Sequence, residues 1–389
     1  MLIKFATFVT IFALVTYFNS SFISLLAVPS SWLVLVFISW QCAHVIGKHV
    51  IVKRFTKSVC GIGKAVLITG ADTGFGHLLS LRLNELGFYV YAGCLNSTSD
   101  DAQSLVSNAK YRKAIELVQL DVTSDKDIRA ANVQVQSSLR IQNRKLYAVV
   151  NNAGIASANL IGLTDGPIDD DFRQIMDVNF FGLIKVTRTF LPMIRASKGR
   201  IVSVTSIAAR ANMSYLSAYT ASKSAASAFT STLNYEMMRF GVKVINVQPW
   251  FYRTSLLNAN QMTKFAEKQW DNASDAIKHD YGNGFIDVVR FSFSWLFNCT
   301  PLVDRNLNDV IDELENAITS YEPDNIIEVA SVYNRWFVKQ LINFYPYELT
   351  TLLNYWFDFL TRLWYPVLER NSERLPNFFH RLIFCKRLE

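Results

Sequence analysis

Charged residues, cysteine and histidine are all scarce in this sequence. Only 18% of the 389 residues are charged and 50% are hydrophobic, whereas soluble domains usually carry about a quarter charged residues. The low charge therefore predicts contact with a membrane. The five histidines form no cluster, and the cysteines are odd in number and lack the spacing of metal ligands. This pattern excludes a disulfide framework and a zinc site, so we predict no metal. The cysteines are Cys42, Cys60, Cys94, Cys299 and Cys385.

Basic motifs interleaved with aromatic residues, which are typical of nucleic-acid binding, are also missing. The net charge is nevertheless +7 and the isoelectric point about 9.0. A basic balance beside long apolar segments fits an anionic membrane surface better than a nucleic acid. We therefore expect a membrane, and no nucleic acid, among the partners of this chain.

Residues 1–60 hold the longest apolar tracts of the chain. Residues 2–18 are almost wholly apolar, and a second apolar run over 22–46 is interrupted at Pro29. Because a membrane-spanning helix needs about 20 apolar residues, the tract predicts one span, or two that meet at Pro29. It is too long for the alternative, a cleaved signal peptide. The basic residues within 48–57 favour a cytoplasmic position for the residues after them, so we predict a membrane anchor with a basic juxtamembrane segment.

The pattern of residues 64–86 predicts a nucleotide-binding turn between a strand and a helix. Ala65–Ile68 is a short apolar strand, Thr69–Gly76 (TGADTGFG) is rich in glycine, and His77–Leu86 is helix-like. This arrangement places backbone N–H groups at a helix N-terminus, where they can bind a pyrophosphate. The candidate cofactor residues of the turn are Thr69, Gly70, Asp72, Thr73, Gly74, Phe75 and Gly76.

The end of the second predicted strand, Phe88–Gly93, lacks both of the usual signals for cofactor choice. An acid there binds the ribose of NAD, and an arginine binds the 2′-phosphate of NADP, but Cys94, Leu95 and Asn96 stand at these positions. Asp72 in the glycine-rich turn would repel an additional phosphate. We therefore expect NAD, do not exclude NADP, and count Cys94 among the candidate cofactor contacts.

Two further predicted strands, Ile115–Leu120 and Leu146–Val150, complete the pattern of a doubly wound sheet. Asp121 follows the first strand and either contacts the adenine or caps the next helix. The second strand leads into Asn151–Gly154 (NNAG). Alternating strands and helices predict a Rossmann-type parallel α/β sheet, with ligands at the carboxyl ends of its strands. Asn152, Ala153 and Gly154 are therefore candidate cofactor contacts.

A serine, a tyrosine and a lysine are predicted to converge at the end of the strand Arg200–Thr205. Ser206 follows the strand directly, and Tyr219 and Lys223 lie four residues apart on an Ala-rich helix that begins at Ser217. Residues four apart share one helix face. A neighbouring ammonium lowers the pKa of a phenol, so Lys223 would make Tyr219 a general acid or base. The pair by itself would also fit an ordinary surface helix.

Together these motifs resemble the short-chain dehydrogenase/reductase family across residues 62–255. The resemblance implies that Tyr219 is the catalytic acid/base and that Ser206 orients the substrate oxygen. It implies that Lys223 lowers the pKa of Tyr219 and binds the nicotinamide ribose, and that Asn179 holds a water in a proton relay reaching Lys223. The order and spacing of the following motifs carry it: Thr69–Gly76, Asp121, Asn151–Gly154, Asn179, Ser206, Tyr219 and Lys223.

The glycine-rich turn and the helix after it are similar to the membrane-bound retinol and hydroxysteroid dehydrogenase branch, as is segment 307–322. That similarity implies a retinoid or steroid substrate, the endoplasmic reticulum membrane and a cytoplasmic catalytic domain. It leaves a homodimer open. One departure is Trp250, which follows Pro249 where the family commonly has glycine, so the loop over the nicotinamide differs. Pro249 and Thr254 are the last candidate cofactor contacts.

The C-terminal third of the chain predicts a lid and a membrane-associated extension. Residues 255–284 are polar and helix-like and would cover the substrate. The aromatic-rich residues 285–297 either line an apolar pocket or dip into the bilayer, and residues 336–364 either form interfacial helices or complete the core. We assign residues 61–325 to the dehydrogenase domain and 326–389 to the extension.

The motifs predict an oxidoreductase that transfers a hydride between a nicotinamide cofactor and a lipophilic secondary or allylic alcohol or carbonyl. The alternative is a non-catalytic, membrane-anchored scaffold that retains the fold. Trp250 favours the alternative, whereas the complete set of Asn179, Ser206, Tyr219 and Lys223 opposes it.

Overall fold

The computed structural model describes residues 59–157, 170–211, 214–254, 259–282, 284–294 and 306–330, with the single positions 39, 297, 303 and 304. The chain divides into two compact units. One of them, Met1–Val59 with Ser320–Glu322, lies almost wholly outside the described residues. The other, Cys60–Thr319 with Pro323–Glu389, contains the sheet and the helices around it.

Seven parallel strands form one sheet in the order β3-β2-β1-β4-β5-β6-β7. Strands β1, β2 and β5 are buried along almost their whole length, as expected for parallel strands covered on both faces. The chain order reverses between β1 and β4, the point at which doubly wound sheets bind ligands. The strands are β1 (Lys64–Thr69), β2 (Tyr89–Cys94), β3 (Ile115–Gln119), β4 (Lys145–Asn151), β5 (Arg200–Val204), β6 (Lys243–Pro249) and β7 (Ile326–Val329).

Helices cover both faces of the sheet. In the described part of the chain they are α1 (Gly74–Glu85), α2 (Asp100–Asn108), α3 (Asp125–Ile141), α4 (Asp170–Met176), α5 (Leu183–Ser197), α6 (Ser217–Met238), α7 (Ala259–Asn272), α8 (Asp275–Tyr281), α9 (Phe285–Ser294) and α10 (Asn308–Thr319). Helices α1, α2 and α10 share one apolar cluster with the sheet. Helices α3, α5 and α6 share the cluster on the opposite face. The predicted doubly wound, Rossmann-type sheet is therefore confirmed.

The seventh strand corrects the predicted domain boundary. Strand β7 pairs in parallel with β6, from Asn246 opposite Ile326 to Pro249 opposite Val329. It begins one residue beyond the boundary predicted at 325, so that boundary cuts the sheet. The sequence did not predict this strand because IIEV is only four residues long and half-exposed, and because its pairing partner lies far away in sequence. The other predicted divisions stay predictions.

The predicted membrane segments fall where the structure is not described. Of the helices in the described residues, none is long and apolar enough to cross a bilayer. The anchor predicted within residues 1–60 and the extension after residue 330 lie outside that part of the chain, apart from positions 39, 59 and 60.

Candidate active site

The glycine-rich turn between β1 and α1 is shaped to receive an anionic group. Gly70 and Gly74 have left-handed φ angles of 63°, which glycine adopts without steric cost. A Cβ on Gly76 would lie 2.2 Å from the Gly70 carbonyl oxygen, so only glycine allows the turn to close. Thr73 is the N-cap of α1 but its side chain makes no cap hydrogen bond, and the first turn holds no acid. The N–H groups of that turn thus stay available to a pyrophosphate, which a dinucleotide would supply.

Thr69 and Asn152 join the glycine-rich turn to the NNAG turn across the point where the strand order reverses. The Thr69 hydroxyl accepts hydrogen bonds from the backbone N–H groups of Asn152 (3.1 Å) and Ala153 (3.0 Å). The Asn152 amide donates to the carbonyl oxygens of Thr69 (3.0 Å) and Gly70 (2.9 Å). Thr69 is only 1% exposed. The structure therefore gives the Thr69 side chain a structural role in place of the predicted direct cofactor contact.

Asp72 lies against the end of β2. Its carboxylate accepts hydrogen bonds from the backbone N–H groups of Leu95 (3.0 Å) and Asn96 (3.3 Å). An acid therefore reaches the position that usually selects the adenosine ribose, although it comes from the glycine-rich turn. The Cys94 side chain is 0% exposed and belongs to the core, so only the backbone of this residue is left for the predicted cofactor contact. Its thiol donates to the Ala92 carbonyl at 3.5 Å, and it presents no side-chain atom to a cofactor.

Asp121 does not cap the helix that follows β3. The N-cap of α3 is Ser124, whose hydroxyl accepts a hydrogen bond from the Asp127 N–H at 3.2 Å. Asp121 instead accepts from the N–H and the hydroxyl of Thr123 at 2.8 and 2.7 Å. The capping alternative for Asp121 was therefore wrong, and the adenine contact stays a prediction.

Asn179 lies in a π-helical turn, Asp177–Gly182, that connects α4 to α5. Its carbonyl oxygen accepts from the Ile155 N–H (2.8 Å), and its amide donates to the Ile155 carbonyl (2.9 Å) and to the Ser222 hydroxyl (3.0 Å). A Cβ on Gly154 would lie 3.2 Å from both Asn179 Oδ1 and Lys223 Nζ. Asn179 and Lys223 therefore flank the same glycine of the NNAG turn.

Ser206, Tyr219 and Lys223 come together at the carboxyl end of β5. All three are buried, with exposed fractions of 6%, 3% and 4%. Ser206 lies close enough to Tyr219 for its hydroxyl to lower the pKa of the phenol. The Lys223 ammonium donates to the Val204 carbonyl at 3.1 Å and lies 5.8 Å from the centroid of the Tyr219 ring. The helix register thus brings both side chains to the strand end that carries the serine.

Residues 250–252, directly after β6, are held in place by aromatic contacts and a backbone hydrogen bond. The backbone N–H of Trp250 donates to the Val329 carbonyl at 2.8 Å. The Trp250 ring packs edge to face on the Phe251 ring, with 5.3 Å between the ring centroids. Tyr252 is buried and packs edge to face on Phe75 of the glycine-rich turn at 6.0 Å. With tryptophan at position 250 in place of the glycine common in the family, the segment after β6 still packs against the glycine-rich turn. Pro249 is buried and Thr254 half-buried at this edge of the sheet.

Helices α7, α8 and α9 form an apolar lid over the tyrosine. Met262 and Ala266 of α7, together with Val289 and Phe293 of α9, belong to the same apolar cluster as Tyr219. The segment 255–284 contains the helices α7 and α8, and its role as a cover for the substrate stays a prediction. Phe293 of α9 belongs to this cluster and Phe285 packs against it. The two alternatives given for that segment both stay predictions.

The sequence profile of short chain dehydrogenases matches residues 64–264. This chain belongs to the short-chain dehydrogenase family. It is 37% identical over 263 residues to human 17-beta-hydroxysteroid dehydrogenase type 2, a match that covers 67% of this chain and 65% of that protein, just under two thirds. It is 35% identical over 294 residues to rat retinol dehydrogenase 7, covering 75% and 88%. Mouse mitochondrial D-beta-hydroxybutyrate dehydrogenase is 30% identical over 286 residues, covering 73% and 81%.

Solved structures of short-chain dehydrogenases share the fold. A Burkholderia cenocepacia short chain dehydrogenase in complex with NADP superposes with a TM-score of 0.51 at 20% identity, covering 72% of this chain and 93% of that one. The 3-ketoacyl-(acyl-carrier-protein) reductase from Brucella melitensis complexed with NADH gives 0.51 at 22%, covering 69% and 97%. The family assignment makes this short-chain dehydrogenase an NAD(P)-dependent oxidoreductase.

Burial changes the pKa values of Tyr219 and Lys223 in the directions that favour the neutral form of each side chain. It raises the pKa of Tyr219, and the hydrogen bond with Ser206 lowers that pKa by a smaller amount. It also lowers the pKa of Lys223 to about 8. Removal from water therefore dominates the pKa of Tyr219, and the predicted lowering of this pKa by Lys223 stays a prediction.

Two site residues of the dehydrogenase had no signal in the sequence. Ser222 accepts from Asn179 and its hydroxyl donates to the Tyr219 carbonyl oxygen at 2.8 Å. Tyr215 has a left-handed φ of 67°, unusual for an aromatic residue, and its ring contacts Phe285 and Phe293 of α9 at 6.4 and 6.1 Å. These contacts join residues that lie far apart in sequence or depend on how α9 packs, neither of which residue spacing encodes.

Proposed function

We propose that this enzyme interconverts a lipophilic secondary or allylic alcohol, of the retinoid or steroid class, and the corresponding carbonyl, with NAD as cofactor. The observation that carries the proposal is the position of Tyr219 inside the apolar cluster of the lid helices. Each Å² of apolar substrate surface buried there would contribute about 25 cal/mol. The names of the human and rat relatives point to the same substrate class.

In this proposal Tyr219 exchanges the proton of the substrate oxygen. Ser206 orients that oxygen, and its effect on the pKa of Tyr219 supports a position of the two hydroxyl groups near each other. Lys223 contributes its ammonium to the nicotinamide ribose, and Asn179 supports a relay toward Lys223 from the other side of Gly154. Hydride transfer is the chemistry that a bound nicotinamide supplies.

The cofactor would be held along the carboxyl edge of β1, β2, β4 and β6. The N–H groups after Thr73 would bind its pyrophosphate, and the NNAG turn would approach it through Ala153 and Gly154. Asp72 supports the preference for NAD, because its carboxylate lies at the end of β2 and would repel the additional phosphate of NADP. Asp121, Pro249 and Thr254 stay proposed contacts at the same edge.

The raised pKa of Tyr219 gives the reaction a pH dependence. A phenol whose pKa lies above its usual value keeps its proton at neutral pH, so Tyr219 is ready to protonate a carbonyl oxygen. Alcohol oxidation needs the deprotonated form, and we therefore expect oxidation to accelerate as the pH rises toward the pKa of Tyr219. Initial rates in both directions between pH 6 and 10 would measure this.

The decisive experiment replaces Tyr219 with phenylalanine. We expect Tyr219→Phe to lower turnover of retinol or a 17-hydroxysteroid by about 100-fold or more, with NAD affinity unchanged by nucleotide fluorescence. Tyr91→Phe is the matched control, since it removes another buried phenol, on β2, that does not belong to the lid cluster. Normal turnover in Tyr219→Phe would refute the proposed role. Wild-type protein that binds no NAD and turns over no retinoid or steroid would favour the scaffold alternative.

We also propose that residues 1–60 attach the enzyme to a membrane, with residues after 330 at its surface. The apolar tracts of the first 46 residues and the aromatic-rich, basic C-terminal sequence support this. Fractionation of cells expressing the full chain, with alkaline carbonate extraction, tests it. Release of the protein into the carbonate supernatant would contradict a spanning anchor.

A further inference from the structure

A polar network lies where an apolar core would be expected, between the ends of β5 and β6 and the helix α6. Thr205, Asn246 and Gln248 are 3%, 1% and 2% exposed. Asn246 and Gln248 alternate along β6 with Val247, which belongs to the core cluster on the opposite face of the sheet. Both amides therefore point toward α6, and both contact Ser227 of that helix.

Asn246 connects the strand that leads to Ser206 with the helix that carries Tyr219. Its carbonyl oxygen accepts a hydrogen bond from the Thr205 hydroxyl at 2.6 Å. Its amide nitrogen donates to the Ser227 hydroxyl at 2.9 Å. Gln248 also donates to that hydroxyl, at 3.2 Å. One side chain thus holds both elements.

The two ends of this bridge lie next to the reacting groups. Thr205 immediately precedes Ser206, and its backbone N–H donates to the Val247 carbonyl at 2.9 Å. Ser227 lies four residues after Lys223 and eight after Tyr219, so the three occupy one face of α6. A change in the bridge therefore acts on the serine and the tyrosine together.

Directional bonds distinguish this bridge from apolar packing. Burying amide and hydroxyl groups costs free energy unless they are hydrogen-bonded, and apolar residues of the same size would cover α6 without that cost. Hydrogen bonds, however, fix the rotation and the height of a helix, because their strength depends on angle and distance. Tyr219 lies on α6 and Ser206 follows β5, so a shift of α6 relative to β5 would move the two side chains relative to each other.

We propose that Asn246 is a positioning residue that, through Thr205 and Ser227, sets the distance between the hydroxyl groups of Ser206 and Tyr219. This inference rests on the proposed function of those two residues. It assigns no contact with substrate or cofactor to the bridge. Its effect is on the rate of the chemical step and leaves ligand binding unchanged.

Thr205→Val and Ser227→Ala each remove one end of the bridge. A displacement of about 1 Å in a catalytic group can cost about 100-fold in rate, and we expect either variant to lower kcat at least tenfold. The KM for the alcohol and the dissociation constant of NAD should change less than threefold. The hydrogen bond with Ser206 lowers the pKa of Tyr219, so loosening it should also move the pH–rate profile for oxidation to higher pH.

Conservative variants and a matched control separate positioning from stability. Thr205→Ser and Ser227→Thr keep the hydroxyl groups and should restore kcat to within about threefold of wild type. Thr230→Val removes another buried hydroxyl from α6, one that donates only to the Ala226 carbonyl of the same helix, and should leave kcat unchanged. Melting temperatures identify any variant that is merely destabilised, and Ser227→Ala, at a half-buried position, serves if Thr205→Val does not fold.

Failure of this inference and failure of the proposed function give different results. Wild-type kcat and pH profile in Ser227→Ala, beside an inactive Tyr219→Phe, overturn the bridge alone. Equal losses of kcat in Thr230→Val and Ser227→Ala overturn it too, because any buried hydroxyl of α6 would then have the same effect. Full activity in Tyr219→Phe overturns the assignment on which the bridge rests.

Discussion

Tyr219 and Lys223 are both buried, and burial favours the neutral form of each. The pKa of the tyrosine rises and that of the lysine falls to about 8. A group whose pKa changes on folding makes stability depend on pH. An unfolded lysine titrates near pH ~10.4, so below about pH 8 the folded protein bears the full cost of a buried ammonium.

Lys223→Met should therefore stabilise the protein by an amount that depends on pH. Between about pH 8 and 10.4 the unfolded chain binds more protons than the folded one, so wild-type stability rises with pH in this window. The gain from Lys223→Met, as large as about 3 kcal/mol at pH 7, should shrink by pH 9.5. Thermal unfolding without added nucleotide measures this. Lys126→Met, at an exposed position, is the control, and an equal gain at both pH values would contradict the argument.

The Asp72 carboxylate places a negative charge at the end of β2. Asp72→Asn removes that charge and keeps an oxygen that can accept from Leu95 and Asn96. We expect the ratio of kcat/KM for NAD over NADP to fall by about tenfold or more, since a phosphate beside a neutral amide is no longer repelled. Steady-state kinetics with both cofactors measure the ratio. Asp101→Asn, on the exposed part of α2, should leave it unchanged.

At the scale of single elements, the glycine-rich turn contains two glycines that are required for different reasons. Gly76 is required for space, because a Cβ would lie 2.2 Å from the Gly70 carbonyl oxygen and 2.6 Å from Asn152 Nδ2. Gly74 is required for conformation only, because its Cβ would meet nothing within 4 Å while its φ is 63°. Gly76 therefore allows the glycine-rich turn to lie against the NNAG turn, whereas Gly74 only allows the left-handed backbone of its own turn.

Gly76→Ala and Gly74→Ala should differ accordingly. We expect Gly76→Ala to destabilise the protein by about 1–3 kcal/mol through overpacking and to abolish measurable NAD binding, because the turn opens away from NNAG. Gly74→Ala should cost about 1 kcal/mol through its left-handed backbone. Melting temperatures and nucleotide titrations report both quantities. Equal NAD affinities in the two variants would show that contact between the turns is not needed.

The sequence predicts most elements because their signals are local. Strands β1 to β5 are mostly apolar runs, and their predicted bounds agree with the structure to within about two residues. The π-helical turn around Asn179 and the short strand β7 were missed, since π-helical bonds and a four-residue edge strand have no local signature. The capping of α3 by Ser124 was missed because Asp121 and Ser124 are both good caps.

The candidate site was predictable in position and much less so in electrostatics. The carboxyl ends of β1, β4 and β5 bring the glycine-rich turn, NNAG and Ser206 to one edge, as parallel topology requires. The sequence did not predict that burial raises the pKa of Tyr219, because spacing in sequence does not report burial. Thr69 and Cys94 are the last residues of β1 and β2, at the edge where cofactor contacts are expected, yet packing turns both side chains into the protein.

At the scale of the whole molecule, the amino edge of the sheet serves stability and the carboxyl edge serves chemistry. Arg200 opens β5 at the amino edge and is buried. Its guanidinium donates to the Tyr147 hydroxyl at 2.8 Å and to the Ala317 carbonyl of α10 at 2.6 Å. One side chain thus joins β4, β5 and a helix that arrives more than a hundred residues later.

Arg200→Met should reduce stability and leave catalysis unchanged. It leaves a buried carbonyl and a phenol without their donor, for which we expect a loss of about 2–4 kcal/mol. The kcat and KM of the folded fraction should match wild type, because the proposed site lies at the other end of β5. Denaturant unfolding and kinetics at 15 °C test this. Arg140→Met, at an exposed position near the end of α3, should cost less than about 0.5 kcal/mol.

The membership of Tyr219 in the lid cluster has a consequence for how this enzyme can change. A substitution in α7 or α9 that loosens this cluster to admit a bulkier alcohol would also let water approach the phenol. Part of the burial that raises the pKa of Tyr219 is then lost. Substrate size and pH optimum therefore depend on the same apolar packing around Tyr219. We expect a variant selected for a larger substrate to oxidise it best at a lower pH than wild type.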